Sequence, residues 1–128
     1  MTQTITAPAT SNVKQRVQEL LSYIRNGRII EAMTEFYAPD SEMQENRNPP
    51  TKGLAANIER EKQFLANIKE WRGFNVHAVA VEGDVSLVES SMEFVATDGT
   101  PVRLEQVSVS KWRDGKIVHE RFYYDSAK

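Results

Sequence analysis

The sequence contains no cysteine. That excludes disulfides, thiolate metal sites and cysteine nucleophiles, though not an oxidising compartment as such. Neither sign of charge dominates: Lys plus Arg is 16 and Asp plus Glu is 18, a net charge of -2. Non-specific nucleic-acid binding needs a clustered positive field, so this balance argues against it. No apolar run approaches the roughly 18 residues of a membrane helix. Met1 to Thr10 has neither the basic nor the apolar region of a signal peptide. A soluble, cytoplasmic protein with no membrane or nucleic-acid partner is therefore expected. There is also no Gly-rich phosphate loop, no nucleophile elbow and no paired-His metal spacing, so no cofactor and no metal is implied. What is present is 128 residues, 40% hydrophobic and 27% charged. This is the composition of one ordinary domain, large enough for a core and an internal pocket.

The N-terminal half has helical periodicity. Residues 1–11 are Thr- and Ala-rich with Pro8 and read as a disordered arm, leaving 12–128 as one domain. Asn12, with Gln15 three residues on, predicts a helix cap. Val13, Val17, Leu20, Leu21 and Ile24 follow at helical spacing, and Gly27 supplies a left-handed stop. A second helix is expected over Ile29 to Tyr37, with Ile29, Met33 and Phe36 on one face, and Pro39 disfavours helix at Ala38. Ser41 to Asn46 reads as a short extended segment, and Asn48-Pro49-Pro50 as a loop. A third helix is expected from Leu54 to about Glu70, with Leu54, Ile58, Leu65 and Ile68 buried and Phe64 beside them.

After Trp71 the period becomes two. Strands are expected over Gly73 to Val81, Val85 to Thr97, Val102 to Arg113 and Lys116 to Tyr124, joined by Gly-containing turns. Helices first and hairpin-linked strands second give an α+β fold, with three N-terminal helices on a curved antiparallel sheet.

Candidate chemistry rests on carboxylates and phenols. Glu45 lies just before the Pro-containing loop, and Glu89, Glu93, Glu105 and Glu120 fall inside strands. A strand interior suits Glu only where it faces solvent or a polar cavity. In the last strand, alternation puts Val118, Glu120, Phe122 and Tyr124 on one face and Ile117, His119, Arg121 and Tyr123 on the other. In the preceding strand, Gln106 and Ser108 share a face opposite Val107 and Val109. Alternation alone leaves open which face is concave. Histidine is a side chain suited to acid or base roles, but His77 and His119 each stand alone in sequence and read more simply as structural or solvated strand residues. Trp71 and Trp112 read as core or rim residues, and Asp40 as a turn or cap residue.

Three stretches, Phe36-Tyr37-Ala38-Pro39-Asp40 with Glu42 to Asn46, Thr51-Lys52-Gly53-Leu54, and Trp112 to Val118 running on to Asp125, give the chain a family resemblance. Together they resemble the nuclear transport factor 2-like fold, in its SnoaL-like polyketide cyclase and ketosteroid isomerase branch. The resemblance implies a cone-shaped α+β barrel with a pocket between helices and sheet. It implies that Glu120, Phe122, Tyr124, Gln106 and Ser108 point inward; Tyr37, as a phenol donor, and Met43, as an apolar contact, are further candidate ligand contacts. It places Glu45 at the catalytic carboxylate base, with Glu120 as a second acid or base, and it implies a homodimer through the outer face around Val107 and Val109. In ketosteroid isomerases a phenol and a protonated carboxylic acid hold the dienolate. The matching positions here are Leu21 and Ser108, so that oxyanion hole is missing and steroid isomerisation is not expected. Tyr37, Tyr124 or Gln106 are the available substitute donors.

Two functional readings follow. One is an isomerase, cyclase or lyase using general acid-base catalysis on a medium-sized apolar carbonyl or phenolic compound. The other is a non-catalytic ligand-binding or dimeric interaction domain. The first expects a cavity faced by both Glu45 and Glu120. The second expects the carboxylates tied up in salt bridges, or no cavity. Glu45 also has a plain reading, as a solvated carboxylate at the pocket mouth or one paired with Arg47, and Glu120 as one neutralised by Arg121 or another cation. If Glu45 is buried without a cation, Glu45→Gln should be at least as stable as the parent near neutral pH.

Overall fold

The computed structural model describes residues 9–125, and side chains from Asn12 onward. Helix α1 (Ala9–Arg25) buries Val13, Val17, Leu20 and Leu21 on one face. It starts ahead of Asn12, so the expected cap lies inside the helix and the arm expected over residues 1–11 is already helical at Ala9. Once the Val13–Leu21 stripe has nucleated the helix, each added residue gains a backbone bond, so even weak helix formers extend it. The remainder of that arm lies outside the described residues. At the other end Gly27 has φ 75. The Gly27 N–H bonds the Ile24 carbonyl and the Arg28 N–H bonds the Tyr23 carbonyl, a Schellman cap that needs the left-handed residue.

Helix α2 (Ile29–Phe36) buries Ala32, Met33 and Phe36. The chain turns directly into strand β1 (Tyr37–Glu45), longer than the short extended segment expected around Ser41, because Pro39 holds its neighbours extended. A two-residue strand, β2 (Thr51–Lys52), pairs with β1 and carried no sequence signal. Helix α3 (Leu54–Ala66) is shorter than expected. Asn67 caps it through its N–H to the Phe64 carbonyl. Ile68 then opens strand β3 (Ile68–Glu82) opposite Ala96, so it belongs to the sheet and not to the helical stripe. The long hairpin with β4 (Val85–Ala96) wins the β-branched Ile68 for the ladder.

Strands β3, β4, β5 (Pro101–Arg113) and β6 (Lys116–Tyr124) form the expected antiparallel meander. The sheet as a whole is mixed, not antiparallel. β1 joins it parallel to β6, in the order β2-β1-β6-β5-β4-β3. Parallel pairing requires a long crossover, and here α3 and the first three meander strands provide it. The fold is therefore α+β, with three helices on a six-stranded mixed sheet.

One break in alternation corrects the expected faces of β6. Lys111 lies opposite His119 but Trp112 lies opposite Ile117, leaving Val118 as an extra residue in a bulge. Ile117 is fully buried beside Trp112 in the core, on the face it was expected to avoid. Beyond the bulge the alternation resumes. Among the described residues no helix is long and apolar enough to cross a membrane.

Candidate functional site

The helices and the inner face of the sheet enclose a cavity of about 510 Å³. Its walls are mostly apolar: Val17, Leu20 and Leu21 from α1, Met33 from α2, Phe64 and Leu65 from α3, and Trp71, Phe74, Val88 and Phe94 from the sheet. This size and lining suit a small organic molecule. The cavity brings together Glu45, Glu120, Tyr37, Met43, Gln106, Ser108, Phe122 and Tyr124. Val107 and Val109 are not part of its wall. They sit on the outer face, half-buried, opposite the exposed Tyr123 and Leu87 respectively.

The carboxylates are held in different ways. Glu120, on β6 just past the bulge, is 3% exposed. It accepts a hydrogen bond from the Tyr37 hydroxyl and another from Ser110 Oγ at 2.5 Å. No cation pairs with it among the described residues. Arg121, the expected neutraliser, points to the outer side, where it donates to the Asn46 carbonyl at 2.9 Å and lies over the Tyr123 ring. Burial raises the Glu120 pKa, outweighing the two hydroxyl bonds that lower it. Burial and the nearby Glu120 charge push the Tyr37 phenol well above its usual range.

Glu45 ends β1. Its Oε1 accepts from the Tyr124 hydroxyl at 2.5 Å and its Oε2 pairs with Arg60 at 2.9 Å. The cation is thus Arg60 on α3, not Arg47, because Glu45 faces the cavity and α3 stands over it. The premise of a Glu45 buried without a cation does not hold. Burial, then the bond to Glu45, pushes the Tyr124 phenol up to about 12.

A third carboxylate, Glu61 on α3, was not anticipated. Burial raises its pKa, opposed by Arg60 and reinforced by the charges of Glu120 and Glu45. The signal was present in the sequence: Glu61 falls three residues after Ile58 and four before Leu65, on the apolar stripe itself.

The other strand carboxylates lie elsewhere. Glu93 and Glu105 both pair with Arg103, at 2.7 and 3.0 Å, and Glu89 is exposed. His77 bonds Ser91 Oγ at 3.1 Å, and His119 sits across from Lys111 and Glu42. Asp40 lies in β1, exposed, 3.4 Å from Arg113, rather than in a turn. Trp71 lines the cavity, and Trp112 is core, its indole N–H bonded to Ser86. Of the substitute donors, Tyr37 and Tyr124 are engaged with carboxylates. The Gln106 side chain has no partner among the described residues. Among those residues no cluster of His, Asp and Glu is arranged to hold a metal.

Comparison with known proteins gives a consistent family. A model of the SnoaL-like domain matches residues 17–120. No curated protein matches the chain significantly. Solved structures agree in fold. A candidate SnoaL-like polyketide cyclase from Jannaschia superposes with TM-score 0.80 at 17% identity, covering 96% of this chain and 92% of the other. A candidate isomerase from Bacillus subtilis gives 0.76 at 20% identity, covering 93% and 90%. An LEH-like epoxide hydrolase from M. tuberculosis gives 0.75 at 17% identity, covering 94% and 83%. At such identities the likeness speaks for the fold and not for any one reaction.

Proposed function

The chain belongs to the SnoaL-like family, and from that premise we propose that it acts on a small molecule by general acid-base catalysis, as an isomerase, cyclase or lyase. The substrate is a medium-sized, largely apolar carbonyl or phenolic compound. The observation that carries this reading is that Glu45 and Glu120 line one apolar cavity with a phenol bonded to each. Glu45 takes a proton from the carbon next to the carbonyl. The C–H electron pair moves toward the carbonyl oxygen, which receives a hydrogen bond or a proton from the Glu120–Tyr37 pair. A carboxyl group kept as an acid by burial suits that second role. Met43, Phe122 and Ser108 shape the site, and Gln106 is the uncommitted donor for the same oxygen. Steroid isomerisation itself is not proposed, since Leu21 stands in the wall where a phenol would be needed.

One observation favours a binding role instead: Glu45 is already paired with Arg60. A base held by a guanidinium must give up part of that partnership to accept a proton. A thermal-shift screen of ketones and polycyclic phenols, followed by turnover on the hits, separates the two. Ligands stabilise the fold by mass action in either case. Catalysis requires that Glu45→Gln lower kcat by about 10²–10⁴. Hits that are bound but never converted leave the binding role. No hit at all refutes both. We also propose that Val107, Val109, Leu87 and Tyr123 form a homodimer surface. Light scattering of Val109→Glu should show a loss of dimer mass, and a monomeric parent refutes the assignment.

A further inference from the structure

The charged groups of the cavity are one-sided. Among the described residues, Glu45, Glu61 and Glu120 line it against a single guanidinium, Arg60. Arg60 is already engaged with Glu45 at 2.9 Å and with Thr51 Oγ1 at 3.2 Å. Three hydroxyl donors are engaged too, Tyr37 and Ser110 with Glu120 and Tyr124 with Glu45. Uncommitted donors such as Ser108 and Gln106 belong to β5 and not to α3. Glu61 is the carboxylate left over. It is half-buried in the wall and has no hydrogen bond or ion pair among the described residues. One helical turn earlier, on the same wall, Asn57 is 2% exposed. Its Nδ2 donates to the Thr51 and Gly53 carbonyls at 3.0 and 2.9 Å, which fixes the amide orientation and leaves Oδ1 buried without a partner. Both unmatched groups on this wall are therefore acceptors.

A buried acceptor without a donor is costly, and so is a half-buried carboxylate whose nearest guanidinium is already bonded to another carboxylate. A ligand that supplies donors and positive charge relieves both. A ligand bearing a carboxylate would add another acceptor and another negative charge to a cavity whose carboxyl groups already outnumber its one guanidinium. We propose that the ligand of this cavity is an apolar compound carrying a protonated amine, with Glu61 as its counter-ion. This rests on the small-molecule reading above and narrows its ligand class. The apolar body occupies the space among Leu21, Phe74 and Phe94, and the ammonium lies toward α3.

Calorimetric titration with three matched probes tests it: naphthylethylamine, naphthylethanol and naphthylacetate. The amine should bind about tenfold tighter than the alcohol, the increment of one charge-assisted hydrogen bond, and the carboxylate weakest of the three. Glu61→Gln should bring the amine down to the alcohol while leaving the alcohol's affinity unchanged, and Glu61→Asp should keep part of the preference. Cooperative melting curves establish that both variants fold. An amine no tighter than the alcohol overturns the inference and leaves the small-molecule reading standing. A preference that survives in Glu61→Gln overturns the assignment to Glu61. If none of the three binds, the small-molecule reading falls and the inference with it.

Discussion

Tyr37→Phe deletes one oxygen, and its cost depends on the charge of Glu120. The two residues are 6% and 3% exposed and bonded to each other, and Ser110 is the other partner of the carboxyl group. A buried hydrogen bond to a charged group contributes about 1.5–3 kcal/mol, against about 1 kcal/mol for a neutral pair. The loss in Tyr37→Phe should therefore be near 1 kcal/mol at acid pH, where Glu120 is protonated, and grow toward about 2–3 kcal/mol as Glu120 ionises. In a Glu120→Gln background it should stay near 1 kcal/mol at every pH, which makes the coupling energy of the cycle itself pH-dependent.

The sign of the parent's own pH dependence follows from the same pair. Burial raises the Glu120 pKa in the folded state, so folding favours the protonated acid. That contribution is complete below the unfolded-state pKa and is lost as pH rises through the higher folded-state value. The parent should gain stability on acidification from neutral pH toward the ordinary carboxylate range, and Glu120→Gln should have a flatter profile. Glu61 is raised as well and has the same sign; part of its shift comes from the Glu120 charge, so its contribution also shrinks in Glu120→Gln and adds to the flattening. Urea denaturation followed by tryptophan fluorescence reads all of this from the midpoints. Parallel pH profiles for parent and Glu120→Gln, or a Tyr37→Phe cost that is the same at all pH values, would refute the reasoning.

Other outcomes are simpler. Glu45→Gln should change stability by less than about 1 kcal/mol, because its pair with Arg60 is half-exposed; a larger loss by urea titration would show that the pair is a structural anchor. Phe36→Ala should cost about 3–5 kcal/mol, since the ring is 1% exposed and packs edge-on against Tyr23 at 5.2 Å. Gly27→Ala should cost about 1 kcal/mol, a small drop in melting temperature, because φ 75 is needed for the cap even though no atom crowds the added carbon.

The parts of the fold visible in the sequence are those set by local pattern. The stripe from Val13 to Ile24, the Gly27 stop, the Pro39 break and the three Gly-containing turns each act over a few residues, and the elements they delimit agree with the structure. What escaped depends on partners distant in the chain. Ile68 looks helical by spacing and becomes strand only because Ala96 lies opposite it. Ile117 and Glu120 share a face only because a bulge at Val118 breaks the period. The residues expected around the cavity were drawn together mostly by resemblance, which selected the inner face of β5 and β6; alternation offered two faces equally. Glu61 was overlooked although its place on an apolar stripe marked it. Arg60 carried no such mark, since only the fold sets it over Glu45.

The parallel joining of β1 to β6 was invisible to pattern, and it is what brings the two carboxylates together. Met43 lies opposite Glu120, and Glu45 opposite Phe122. Glu45 and Glu120 are thus one strand spacing apart and two residues offset on the same face. A rise of about 3.3 Å per residue and a spacing of about 4.8 Å put their Cα atoms about 8 Å apart. With Tyr37 and Ser110 bonded to one carboxyl group, and Tyr124 and Arg60 to the other, each has its own set of partners. The arrangement suits two separate proton sites on one ligand better than one proton shared between two acids. An antiparallel β1 that kept Met43 opposite Glu120 would run the other way. Glu45 would then fall opposite Val118 instead of Phe122, away from the Tyr124 hydroxyl and from the α3 wall where Arg60 and Glu61 stand. The direction of one strand therefore sets which charged groups meet in the cavity.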